Sequence, residues 1–394
     1  MGNLLLDSLE IKGFRGYKYL KIDQFRRVNL IVGANSVGKT SLLEAIQLLI
    51  EKGHPSLIIE LLNKRNEGIE MYQLGRIGRP DDEDTLKKSI KVISEGLGNM
   101  FYGRPDIDFG ASQYEFTICS LHNPEQLLTI KSSWFEESEV EEEYSVEGKT
   151  LVRRRKVLID VVEGNISPYE GNAQLGLTIQ IGKQKRSYQL ESYFRNARFM
   201  RDSGTSSLNT ITVQGLDEGV LSTYWSQILL TDYQPNVLEA VRLISPDIKD
   251  FGFRDDERSR RKYPIVRLAG VTKPVPFHSL GEGAVRILNL ILALVNSRDG
   301  VLLVDEIDTG LHHSVQVKMW DFVFRLAEQL NVQIFATTHS QDCLSAFEYI
   351  ANEYRGFGQL VSLGAWQDFI NATLIDERDM KIALENYVEL RGAG

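Results

Sequence analysis

Gly33-Ala34-Asn35-Ser36-Val37-Gly38-Lys39-Thr40 lies between the run VNLIV, residues 28–32, and the stretch SLLEAIQLLIEK, residues 41–52. The first neighbour reads as a buried strand. The second places Leu42, Leu43, Ile46, Leu49 and Ile50 at helical spacing, and Gly53 ends it. The eight residues between them satisfy G-x4-G-K-[ST] in the strand-to-helix setting that the pattern demands. Glycines let the backbone curl so that successive N–H groups and the positive end of the helix dipole face an anion. Lys39 then reaches the β- and γ-phosphates of a nucleoside triphosphate, and Thr40 offers its hydroxyl to Mg2+. Asn35 and Ser36 line the cradle, which Gly33, Ala34, Val37, Gly38 and Ser41 complete.

Three later stretches fit that reading. VLLVDEID, residues 301–308, is an apolar strand ending in two carboxylates, at the sheet edge where α/β folds bind ligands. Asp305 would hold Mg2+ through water and Glu306 would polarise the attacking water. His339 ends a further apolar strand, VQIFATTHS, where a neutral imidazole can bond a γ-phosphate oxygen or the lytic water; standing alone, such a histidine is more often a structural donor. Ser279-Leu280-Gly281-Glu282-Gly283 opens the helix AVRILNLILALV. A serine hydroxyl, a glycine backbone and a helix N-terminus make a second anion receptor, although the same pentapeptide also suits a plain helix cap. His312 and His313 have no evident third ligand in the sequence, so a zinc site is not favoured.

The whole chain has 394 residues, 42% hydrophobic and 25% charged, which excludes wholesale disorder and allows a large α/β domain carrying an insertion. Its net charge of −9 repels nucleic acid, so any DNA contact must come from a local patch. Candidates are Arg195, Arg198 and Arg201 at helical spacing, with Arg258, Arg260, Arg261 and Lys262. The longest apolar run, residues 287–295, is about half of the ~20 residues a membrane span needs. The N-terminus lacks the features of a signal peptide, and Cys119 and Cys343 stand outside any CxxC. A cytoplasmic protein with no membrane partner is expected.

Between 106 and 190 the texture is that of antiparallel strands, including YEFTICS, LLTIKSSWF and LGLTIQIGKQKRSYQL. Six glutamates in residues 136–143, followed by Arg153, Arg154, Arg155 and Lys156, read as a solvated hairpin with flanks of opposite sign. Residues 217–244 read helical, and DDERSRRKYP, residues 255–264, as a loop. The division expected is therefore 1–60 and 265–394 as the two halves of the nucleotide-binding core. Residues 61–264 form the insertion, β-rich at 106–190 and with a helical lobe at 191–250.

A simple GTPase or RecA-like motor brings its acidic strand much sooner after the glycine loop than Asp305 comes here. The order GANSVGKT, SLGEG, VLLVDE, TTHS, with FRGY near the start, resembles the ABC-type ATPase heads of the SMC, RecF and OLD (overcoming lysogenisation defect) group. DEIDTGLHHSVQ and NVQIFATTHS are most similar to the short ATPases of bacterial antiphage defence operons. The resemblance implies an α/β P-loop fold of ABC type, a mixed core sheet flanked by helices with a β-rich antiparallel insertion and a helical lobe. It implies ATP and Mg2+ as cofactors, with Arg15 of FRGY near the nucleotide. It further implies two copies sandwiching two ATP molecules, Ser279 and Gly281 of one copy meeting the γ-phosphate held by Lys39 of the other. A glutamine-bearing loop should exist, and Gln73 is the candidate. No sustained heptads follow the glycine loop, so a long coiled-coil arm is not expected. The residues after His339 are too few for the nuclease domain of OLD proteins, which moves any nuclease or other toxic activity to a partner effector in trans. The function implied is an ATP-switched homodimer or higher homo-oligomer that controls such an effector. The alternative is a RecF-like DNA-binding clamp; a transporter subunit is a third and weaker reading.

Overall fold

Two short strands, β1 (Leu9–Phe14) and β2 (Tyr17–Ile22), precede β3 (Val28–Gly33), and their burial differs for a physical reason. In β1 the buried Leu9 and Ile11 alternate with less buried neighbours, as in a strand packed on one face. Every residue of β3 is buried, as in a parallel strand covered on both faces. The computed structural model describes residues 4–67, 94–107, 113–146, 149–160, 174–190, 208–243, 245–255, 262–367 and 369–385. The chain divides into two units, one of Met1–Ser8, Lys21–Leu43 and Gly204–Gly394, the other of Leu9–Leu20 and Glu44–Ser203.

Helix α1 (Lys39–Ile50) follows β3 and is succeeded by α2 (Pro55–Lys64), whose start His54 caps by accepting from the Ser56 N–H. The second unit then adds β4 (Glu115–Cys119), β5 (Leu128–Val146), β6 (Lys149–Asp160), β7 (Gln174–Ile181) and β8 (Gln184–Gln189). They form a sheet in the order β2-β1-β4-β5-β7-β8, with β6 on β5. The register of β5 and β6 sets Glu139 opposite Lys156, Glu141 opposite Arg154 and Glu142 opposite Arg153.

The first unit resumes at β9 (Leu208–Ile211), then α3 (Glu218–Ile228), α4 (Gln234–Arg242), β10 (Ile248–Asp255), β11 (Lys262–Leu268) and β12 (Val275–Pro276). Helix α5 (Glu282–Asn296), β13 (Val301–Val304), α6 (His313–Gln329), β14 (Gln333–Thr337) and α7 (Gln341–Glu353) follow. The described chain closes on β15 (Gly358–Trp366), β16 (Phe369–Ile375) and α8 (Glu377–Glu385). The main sheet runs β16-β15-β3-β14-β13-β9, parallel throughout except for the antiparallel edge β16. Strands β10, β11 and β12 form a small antiparallel sheet on which α3 rests, Trp225 lying 4.2 Å from Phe251 between ring centroids.

This is the mixed-sheet α/β architecture expected, with the β-rich antiparallel insertion in place, but the division differs from the expected one at two points. The strands β1 and β2, expected in the nucleotide-binding core within 1–60, belong to the antiparallel sheet. The core resumes at 204 rather than 265, because β9 inside the supposed helical lobe pairs in parallel with β13. Of the stretch 255–264, expected as a loop, Asp255 ends β10 and residues 262–264 begin β11, with Asp255 opposite Lys262.

Candidate functional site

Parallel strands β3, β13 and β14 end at one edge of the main sheet, and each hands its next residues to the same place. After β3 the loop turns through left-handed backbone at Ser36 (φ 65°) and Gly38 (φ 101°). A Cβ on Gly33 would stand 2.7 Å from the Leu363 carbonyl oxygen and from Val37, so only glycine lets the loop start there. The Lys39 ammonium donates to the carbonyls of Gly33 (2.8 Å) and Ala34 (3.1 Å), across the mouth of the loop. Burial depresses its pKa, while Glu306 and Asp305 pull the other way. Asn35, Ser36 and Thr40 are exposed; Val37 and Ser41 are buried.

Thr40 donates to Asp305 Oδ2 at 2.9 Å, and Thr337, the last residue of β14, donates to Asp305 Oδ1 at 2.6 Å. The same Thr337 hydroxyl accepts the Glu306 N–H at 2.8 Å. Glu306 is a left-handed non-glycine residue (φ 48°), a conformation that persists only where its surroundings hold it. Its Oε1 lies 3.5 Å from Nδ1 of His339, and its Oε2 accepts from Thr309 at 3.4 Å. The expected set Lys39, Thr40, Asp305, Glu306 and His339 thus converges. Thr40 and Asp305 present paired hard oxygens of the kind Mg2+ takes. Among the described residues no three His, Cys, Asp or Glu cluster as a metal site, so phosphate oxygens and water would complete the shell.

Ser279 and Gly281 sit on an exposed 3-10 turn (Phe277–Leu280) and its exit. Ser279 donates to the Pro276 carbonyl at 2.7 Å rather than to the helix, and Gly281 (φ 94°) takes the N-cap position without any side-chain bond, so the pentapeptide does open the helix as the cap reading expects. His312, like His54, caps a helix: its Nδ1 accepts from the Ser314 N–H at the start of α6.

Gln73 lies outside the described residues, as do Arg195, Arg198, Arg201, Arg258, Arg260 and Arg261. Among the described residues a glutamine, Gln214, stands on the turn that leaves β9 beside β13, where the Gly215 N–H donates to the Thr212 carbonyl. With Gly281, Glu282, Arg286 and Thr309 it lines a cavity of about 390 Å3. The signal was TITVQG, β-branched residues running into Gln-Gly. Arg15 belongs to the other unit. There its Nε lies 2.6 Å from Glu44 and its Nη1 2.6 Å from Glu67, while Arg65 contacts Glu44 at 2.7 Å. Burial raises the pKa of Glu44 even with both guanidinium groups beside it.

A glycine loop, a magnesium-type oxygen pair and a carboxylate–histidine pair on one edge of a mixed α/β sheet are the parts of a P-loop ATPase site. The chain belongs to the AAA ATPase domain family, which matches residues 5–344. It is similar to an ATP/GTP phosphatase of Helicobacter pylori, 22% identical over 361 residues and covering 89% of each chain. It is also similar to the DNA replication and repair protein RecF of Staphylococcus epidermidis, 24% identical, over 85% of this chain and 93% of that one. Among solved structures, an Smc head domain of Pyrococcus furiosus bound to the C-terminal domain of ScpA aligns over 98% of this chain and 99% of that one. It shares 11% identity at a TM-score of 0.48. The protein is an ATPase, and no helix among the described residues is long and apolar enough to cross a membrane.

Proposed function

We propose that the protein is an ATP-driven switch: two copies close on two ATP molecules and hydrolysis reopens them, so that a partner effector is controlled by the nucleotide cycle. Lys39 and the loop N–H groups bind the phosphates. Thr40 and Asp305 hold Mg2+, which neutralises phosphate charge. Glu306 accepts the proton of the attacking water, and His339 and Gln214 orient the γ-phosphate and that water. Ser279 and Gly281 of the second copy complete each site. The observation that carries this reading is the turn of Ser279 and Gly281, exposed and without a side-chain cap, in the same unit as a converged Thr40–Asp305–Thr337–Glu306–His339 cluster. A ligand that joins the two copies through differential contacts is what a two-state switch requires.

Mixed subunits test the shared site. Lys39→Ala and Ser279→Arg should each be inactive alone. A mixture in equal amounts should recover up to about a quarter of parental ATPase, because half of the dimers then carry one intact composite site. No recovery from two folded variants would refute the sandwich.

The effector, a nuclease or other toxic protein, and a setting in antiphage defence in the cytoplasm rest on the resemblance of DEIDTGLHHSVQ and NVQIFATTHS. Similarity along most of RecF favours a second reading, a DNA-binding clamp. Salt-sensitive binding of duplex DNA by the isolated protein would support the clamp. Its absence, together with ATP-dependent retention of the product of the adjacent open reading frame, would support the switch.

A further inference from the structure

Arg286 is a guanidinium in an otherwise apolar stretch of α5. It is 6% exposed, amid the buried Ala284, Ile287, Leu288 and Leu290. Burial lowers its pKa, although Asp305, Asp308 and Glu306 oppose that shift. Its hydrogen bonds go to backbone: Nη2 donates to the carbonyls of Asp305 and Glu306, both at 2.6 Å, and Nη1 to the carbonyl of Thr212 at 2.8 Å. The Asp305 and Glu306 carbonyls belong to the two peptide planes that flank the Glu306 Cα. Fixing both planes fixes φ and ψ at that residue, and the Thr337 hydroxyl secures the first plane again through the Glu306 N–H. A left-handed backbone at a glutamate needs such restraint. The Thr212 carbonyl opens the Gln214 turn, and Asn289, on the same helix, accepts the Leu216 N–H at its other end at 2.6 Å.

We propose that Arg286 is a positioning residue for ATP hydrolysis: its fork holds the Glu306 backbone in the conformation that aims the carboxylate at the attacking water, and links that backbone to helix α5 and the Gln214 turn. The inference rests on the role of Glu306 proposed above. Lysine cannot replace the fork, because one ammonium lacks the planar pair of nitrogens that reaches three carbonyls in two directions.

The full-length chain is tested as Arg286→Lys and Arg286→Met, alone and with Glu306→Gln. Steady-state ATPase, affinity for a fluorescent ATP analogue and thermal unfolding are measured together. Misplacing the reacting group should lower kcat on the order of 10²-fold in Arg286→Met, and roughly tenfold in Arg286→Lys, with nucleotide affinity within about threefold of the parent. Added to Glu306→Gln, either change should slow hydrolysis no further, because both act through one carboxylate. Should Arg286→Met fail to fold, Arg286→Lys decides by the same criteria. The proposal is overturned by parental kcat in a folded variant, by kcat and affinity falling together, or by an additive loss in the double variant. A parental rate for Glu306→Gln alone refutes the role of Glu306 itself. Loss in Glu306→Gln with parental rates in both Arg286 variants refutes only the positioning.

Discussion

Glu306→Gln should bind ATP as the parent does, hydrolyse it some 10²–10⁴-fold more slowly, and accumulate as an ATP-stabilised dimer. The amide is close in size to the carboxylate, so the backbone restraints on residue 306 and the Asp305 contacts with Thr40 and Thr337 survive. What is lost is the acceptor for the proton of the attacking water. In the proposed cycle closure depends on phosphate contacts the variant retains, whereas reopening depends on the chemistry it lacks. Size-exclusion chromatography with and without ATP, beside a single-turnover rate, separates these effects. A rate equal to the parent would remove Glu306 from the mechanism, and a monomer under saturating ATP would detach closure from nucleotide binding.

Lys39→Ala should weaken ATP binding by on the order of 10²-fold, about 3 kcal/mol, the value of a charge-assisted contact to phosphate at a partly buried site. The lysine spans the loop mouth, bonded to the Gly33 and Ala34 carbonyls. Alanine leaves the glycine-built loop intact, because the close approach of Gly33 to Leu363 does not involve the lysine side chain. Affinity should therefore fall without loss of the fold. Titration calorimetry with ATP and a melting curve in its absence check both halves. Parental affinity would contradict the assignment of this loop as the phosphate site.

What the sequence made legible follows from how far apart the determinants of each feature lie. The glycine loop, the strand ending at Asp305 and the strand before His339 are each set by a few contiguous residues with a strong periodic flank. Their convergence followed from β3, β14 and β13 being parallel neighbours. Strand β9 was hidden because it has four residues and finds its partner only at Val301–Val304, so no local period marks it. Gln214 was hidden with it. The arginine of FRGY was legible as a motif, but its partners Glu44 and Glu67 come from elsewhere in the chain and no spacing announces them. Arg286 stands in a run of aliphatic residues, and its three acceptors are backbone oxygens, which a sequence does not display.

The hydroxyl of Thr337 carries a single proton, which goes to Asp305, and a lone pair, which receives the N–H of Glu306. The proposed metal ligand and the proposed water-activating group are in this way geared to one rotor. The Asp305 carboxylate cannot swing toward or away from a cation without turning the hydroxyl that anchors the next residue's backbone. Serine preserves that gearing and valine severs it, so the two acidic neighbours move as one part in the cycle rather than as two independent tools.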